Sequence, residues 1–267
     1  MKNLKVLLLV ICCLNSISVF AQTPKSIEAD LVKSFNKIEY WSEKGHSDTS
    51  GNISWTDSLE KANDTFGNKL YYYTNTFPFT LFQKFKKLHV NIIGSADGKL
   101  RIYSWDTELG GTEHDFRNII QYKSKRVSSI LNIDTSSSND NHYVYYFSNI
   151  YTLTTGDKTY YLGIYNGVFS TKDMEEGVQI FCIENEKLNT KKKLIKTASG
   201  IHNSVSYIYD YFSIPSKLKD ADIHYNPALK TFTIPRVGAN DKIGDDEKVS
   251  TKHINYKFTG QYFEKVK

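Results

Sequence analysis

The chain has 267 residues, 40% hydrophobic and 24% charged, with 34 basic and 29 acidic side chains and a formal charge of +5. So even a balance, with its lysines dispersed apart from 84–87 and 191–193, excludes the concentrated basic surface of a nucleic-acid binder, and both clusters read as solvated faces. No segment after the first 21 residues approaches the roughly 20 apolar residues of a membrane-spanning helix.

Residues 1–21 place Lys2 and Lys5 ahead of the apolar run 6–14, followed by Val19-Phe20-Ala21, a small-residue pattern suited to signal peptidase. The segment is expected to be a cleaved leader, which puts the mature chain, 22–267, in the periplasm or outside the cell. Ile11 before Cys12 argues against lipid attachment. Cleavage removes Cys12 and Cys13 and lowers the formal charge to +3. Cys182 then stands alone, so no intramolecular disulfide forms, and its apolar surroundings read as a buried strand rather than a nucleophile. Stability must come from a core, which about 245 residues can supply.

In chain order, Ile27, Leu31, Phe35 and Ile38 recur at helical spacing over 24–43, with Pro24 in the first turn. A polar loop at 47–54 precedes a second helix opened by Asp57 with Glu60 three residues on, a capping-box spacing, and ending near Phe66. A third helix is expected over 77–88, from the repeat of Phe77, Leu81, Phe85 and Leu88 behind Pro78. Beyond Leu88 the pattern turns to strands: a first group at 89–93, 100–105, 118–122 and 127–132; a polar connection at 134–141; a second group at 143–153, 160–165, 178–183 and 193–197; a third at 206–214, 223–225, 231–235, 253–258 and 261–264. Gly156-Asp157, Asn185-Glu186, Asn226-Pro227 and Thr259-Gly260 mark turns. The expectation is a mainly β fold: a helical N-terminal segment, 22–88, on a β-rich body, 89–267, of antiparallel meanders. They are arranged either propeller-like or as an irregular sandwich or open barrel.

The run from Asp57 into SADGKLRIYSWDTELGG, with INYKFTGQYFEK near the C-terminus, resembles a group of uncharacterised secreted proteins of bacteroidete-type bacteria, whose leaders also often end in Ala-Gln. The resemblance implies an envelope location and no particular chemistry.

The densest set of functional side chains lies where strand 100–105, with Leu100, Ile102 and Ser104 on one face and Arg101, Tyr103 and Trp105 on the other, enters the loop 106–115. Asp106, Glu108, Glu113, His114 and Asp115 stand there around Gly110 and Gly111. As a binding site, Trp105 would offer a stacking face, and Asp106, Glu108, His114 and Asp115 would offer ligands for a sugar or for Ca²⁺. As a hydrolase, Asp106, Glu113 and His114 would supply the acid, the base or a metal ligand. The competing reading is a solvated hairpin connection, because the regular spacing of a calcium loop is missing. A second acidic loop, 240–248, carries Asp241, Asp245, Asp246 and Glu247. The seven histidines never occur as HxH, HxxxH or HExxH, and no GxSxG or phosphate-binding glycine loop is present. Tyrosines alternate at 143–147 and 207–211, either as an exposed recognition platform or as rings packed across a sheet. The preferred expectation is a non-enzymatic, secreted module that binds an envelope component, such as a glycan, or a protein partner. The alternatives are a glycan or peptide hydrolase using the 106–115 loop, and an envelope assembly factor.

Overall fold

The computed structural model describes residues 22–47, 54–131, 145–214, 222–237 and 248–266. The leader, most of the loop expected at 47–54, the connection at 134–141 and all but the last residue of the acidic loop at 240–248 lie outside the described residues.

Helix α1 (Pro24–Ser47) starts where Pro24 predicts. Thr23 and Ser26 cap it reciprocally: the Thr23 hydroxyl accepts the Ser26 N–H at 3.1 Å, and the Ser26 hydroxyl accepts the Thr23 N–H at 2.9 Å, a capping box with serine in place of the usual acid. Helix α2 (Ser54–Thr76) begins ahead of Asp57 and runs well past Phe66, because Leu70 and Tyr73 continue the buried stripe of Leu59, Ala62 and Phe66. The expected third helix needs correction, for only Pro78–Leu81 coils, as a 3-10 turn. Arg101 donates to the carbonyls of Thr80 and Leu81 at 2.8 and 3.0 Å, acceptors that a continuing helix would need for its own ladder. The apolar positions Leu81, Phe85 and Leu88 are buried all the same.

The strands are β1 (Asn91–Gly94), β2 (Leu100–Asp106), β3 (Phe116–Lys123), β4 (Val127–Leu131), β5 (Tyr145–Thr155), β6 (Lys158–Val168), β7 (Asp173–Glu184), β8 (Lys187–Asn189), β9 (Ile195–Thr197), β10 (Gly200–His202), β11 (Ser204–Asp210), β12 (His224–Asn226), β13 (Thr231–Val237), β14 (Val249–Phe258) and β15 (Phe263–Val266). The first sheet is the meander β1-β2-β3-β4. The second has the order β11-β7-β6-β5, with β8 beside β7, and the third has the order β10-β9-β15-β14-β13-β12. The three expected strand groups map onto the three sheets except for an exchange: β9 leaves the second group for the third sheet, and β11 leaves the third for the second. Among the described residues all pairings are antiparallel except β15 with β9, and none of the sheets they form closes into a barrel.

The sheets stack in layers behind the helices. Tyr103, Trp105 and Ile119 of the first sheet pack with Leu31, Phe66 and Leu70 of the helices. Its other face, Leu100, Ile102, Ile120 and Tyr122, packs on Phe147, Ile150, Tyr161 and Phe181 of the second sheet. The far face of the second sheet, with Leu162, Ile164, Val178 and Ile180, meets Ile195, Phe232, Ile234 and Phe263 of the third.

Polar bonds fix the registry between layers. Ser104 donates to Asn118 Oδ1 at 2.6 Å and accepts the Phe147 N–H at 3.2 Å. Asn118 donates to the Tyr145 carbonyl at 2.8 Å, and Asn91 donates to the Phe147 carbonyl. These side chains satisfy the outer edge of β5, the edge strand of its sheet. On the helical side, Gln121 donates to the Thr74 carbonyl and to the Thr80 hydroxyl, each at 2.8 Å.

Gly163 on β6 allows the tightest aromatic packing of the second core layer. A Cβ there would lie 2.5 Å from Cε2 of Phe181 and 3.1 Å from the Phe147 ring. Both rings are fully enclosed, so neither can swing away. Gly163→Ala should therefore destabilise by about 1–3 kcal/mol through overpacking, read as a melting temperature lowered by roughly 3–10 °C.

Candidate functional site

The loop after β2 is held from all sides. One carboxylate oxygen of Asp106 accepts the Glu108 N–H at 2.9 Å and the other pairs with Nδ1 of His114. Thr107 donates through its N–H to the Asp115 carbonyl at 2.8 Å and through its hydroxyl to the Asp115 carboxylate at 3.0 Å. Glu108 adopts a left-handed backbone, φ 59°, and accepts the Ser42 hydroxyl of α1 at 3.3 Å. The tip turns tightly: a Cβ on Gly110 would fall 1.9 Å from the Glu113 carbonyl oxygen. Leu109 packs into the helical core, and the His114 N–H donates to the Val168 carbonyl of β6 at 3.0 Å. The loop thus clasps helix, first sheet and second sheet together.

The structure therefore brings Asp106, Glu108, His114 and Asp115 into one bonded unit, leaves Glu113 exposed at the tip, and removes Trp105 from the set. Trp105 needs correction because it is only 2% exposed. Its ring meets Phe66 edge-on at 5.1 Å and its Nε1 donates to Asn63 at 3.1 Å, so no stacking face is open. Beside the loop runs an open groove of about 480 Å³, where Glu39 and Glu43 of α1 face Asp106 and Glu108. His89 lines it too, bonded to Glu39 at 3.2 Å. Among the described residues no group of three or more His, Cys, Asp or Glu is placed to hold a metal ion. Cys182 is buried, and burial pushes its thiol up to about 12, which keeps it protonated and unreactive.

The tyrosine-rich strands pack rather than form a continuous exposed platform. Tyr145, Tyr146, Tyr207 and Tyr209 are half-buried, and Tyr211 alone of the described rings in these runs is exposed. The Tyr145 hydroxyl donates to Glu175 at 2.8 Å. Pairing registers set Tyr146, Asn166, Glu176 and Tyr207 in one row across β5, β6, β7 and β11. Glu176, 2% exposed, accepts the Tyr207 hydroxyl and, at 3.0 Å, the N–H of Ile223 just ahead of β12. Burial raises this carboxyl from its ordinary 4.5 to about 7; the two hydrogen bonds oppose the rise and Asp222 adds to it. Sequence reasoning missed the site. Its one signal is a pair of acids, Glu175-Glu176, at the mouth of an apolar strand.

A further surface lies at the end of α2. Tyr71, Tyr72 and Phe82 are 39%, 56% and 62% exposed. The Tyr72 ring lies 6.4 Å from Phe77, and Phe77 lies 5.8 Å from Phe79, so these three rings form an aromatic cluster. Phe82 covers the turn at Gly98, beside the exposed Lys99, and the exposed Lys84, Lys86 and Lys87 follow in the chain.

Compared with protein-family profiles, curated proteins and solved structures, the chain matches none.

The raised Glu176 carboxyl makes stability pH-dependent. Below about 4.5 the group is protonated in both the folded and unfolded chain. As pH rises towards 7 only the unfolded chain ionises, so stability falls across that window, by on the order of 3 kcal/mol, and levels off above it. Glu176→Gln keeps an oxygen for Tyr207 and Ile223 without the charge. Its melting temperature should show a flatter profile between pH 4.5 and 7 and exceed the parent's at pH 8; parallel profiles for the two proteins would contradict this account.

Proposed function

We propose that this chain is a secreted, non-enzymatic binding module of the cell envelope that seats the end of its helical layer on an anionic lipid surface. The observation that carries the reading is the exposure of Tyr71, Tyr72 and Phe82 at the end of the helical layer together with the exposed Lys84, Lys86 and Lys87 that follow Phe82 in the chain and Lys99 beside the turn that Phe82 covers. None of these lysines has an ion-pair partner among the described residues. Aromatic rings with a polar edge sit well at the level of lipid headgroups, and each lysine near an anionic bilayer adds about 1 kcal/mol, an attraction that salt screens within a Debye length. The leader expected at 1–21 would deliver the chain to such a surface.

The loop geometry does not favour the hydrolase alternative. Both oxygens of Asp106 are engaged within the loop, and Glu113 stands exposed at its tip.

Co-sedimentation with vesicles tests the proposal. The protein should pellet with phosphatidylglycerol-containing vesicles at low salt and stay in solution with phosphatidylcholine alone. Replacing Lys84, Lys86 and Lys87 by Glu should abolish pelleting, and Phe82→Ser should weaken it about tenfold, the loss expected for one buried ring. Equal behaviour of parent and lysine variant would overturn it.

A further inference from the structure

The two helices leave a groove of about 520 Å³ between them. On α1 the residues facing it recur at helical spacing, Asp30, Lys33, Ser34, Lys37 and Trp41, and α2 answers with Lys61, Ala62, Thr65 and Lys69. Ser34 and Ala62 are small where packed helices usually interdigitate larger side chains, and that keeps the groove open. Four lysines stand there against one aspartate, and Asp30 is already committed to Lys69 and to the Tyr73 hydroxyl, each at 2.8 Å. Lys33, Lys37 and Lys61 have no ion-pair partner among the described residues.

The floor supplies an independent observation. Ser34 is 4% exposed, and its hydroxyl has no hydrogen-bond partner among the described residues. Helical hydroxyls ordinarily turn back to the carbonyl four residues earlier, as Thr65 does to Lys61 at 2.7 Å and Thr74 to Leu70 at 2.8 Å. An unpaired buried hydroxyl is destabilising, so a donor or acceptor brought by a ligand would satisfy a standing need. Trp41, partly buried at one end, adds an aromatic face. Aromatic face, unpaired hydroxyl and three unpaired ammonium groups in a space of small-molecule size match one chemistry, a sugar bearing negative charge.

We infer that the groove between α1 and α2 is a binding site for an anionic saccharide, its acid groups held by Lys33, Lys37 and Lys61, one of its oxygens bonded to Ser34, and its ring stacked on Trp41. The site does not depend on lipid binding by Tyr71, Tyr72 and Phe82.

Isothermal titration of the chain from Gln22 onward tests it with four probes: trigalacturonate, glucose 6-phosphate, neutral maltotriose and inorganic phosphate. Binding of trigalacturonate identifies a carboxylated ligand and binding of glucose 6-phosphate a phosphorylated one; either supports the inference when maltotriose and inorganic phosphate bind at least tenfold more weakly. Ser34→Ala should weaken the bound sugar about tenfold while raising the melting temperature of the free protein, a pairing of effects that a purely structural serine would not give. The triple variant Lys33→Glu, Lys37→Glu, Lys61→Glu should abolish binding and still pellet with anionic vesicles. Failure of both anionic sugars to bind, equal affinity for inorganic phosphate, or unchanged affinity in the triple variant would overturn the assignment.

Discussion

The first sheet is buried on both faces, and the rest of the molecule is arranged to meet that constraint. A strand so placed cannot alternate apolar with polar residues, and β2 does not: Leu100 and Ile102 face the second sheet while Tyr103 and Trp105 face the helices. Several of the polar groups that enter these interfaces are tied off one by one, whereas the buried Ser129 hydroxyl of β4 has no partner among the described residues. Ser104 and Asn118 close the open edge of β5, Gln121 bonds to the end of α2 and to the 3-10 turn, and Asn63 joins Trp105 to the Thr107 carbonyl. Such bonds add little net energy each. Their value is positional, since an apolar layer alone could slide against its neighbour and these contacts give it one registry.

This arrangement explains which features the sequence displayed. Turns depend on local chemistry, so Gly156, Asn185-Glu186 and Gly260 lie at their hairpins with positive φ, and the mainly β body with its helical N-terminal segment followed from periodicity. Features decided by distant partners were misread. The repeat of Phe77, Leu81, Phe85 and Leu88 records a need to bury one side of the chain, which a helix would meet. An irregular segment pinned by Arg101 meets it equally well. Trp105 looked available as a ligand platform because it borders a polar loop, yet its ring packs on Gly67 and edge-on against Phe66 of α2. Helix α2 runs on through that glycine, which serves a contact between helix and first sheet. Of the candidate site, the loop's location was legible and its internal bonding was not, because Asp106 finds His114 across a turn whose shape no spacing rule states. Glu176 needs three strands and the approach to β12 to become what it is.

Helix α1 separates charge across its width. Lys33 and Lys37 face α2, whereas Glu39 and Glu43 face the loop after β2. The near-neutral net charge of the chain thus conceals two grooves of opposite sign flanking one helix, and a charged ligand approaching the helical layer would be drawn to one and repelled by the other. In the acidic groove Glu39, Asp106 and Glu108 are bonded to neighbouring side chains or backbone, whereas the basic one retains an orphaned hydroxyl.

The parallel pairing of β15 with β9 bears on the order in which the molecule can be finished. Phe263 and Glu264 lie beside Ile195 and Lys196, and the Phe263 N–H donates to the Leu194 carbonyl at 2.7 Å. Strand β15 is also the neighbour of β14, so it joins the β9-β10 hairpin to the other strands of the third sheet. In a chain emerging N-terminus first, the helices and first sheet have all their strands by Leu131. The apolar face of Leu162, Ile164, Val178 and Ile180 waits for its cover until Val266 has appeared. For that interval the half-made molecule presents a wide adhesive sheet surface, and a chaperone stationed where the chain emerges would have its longest engagement there.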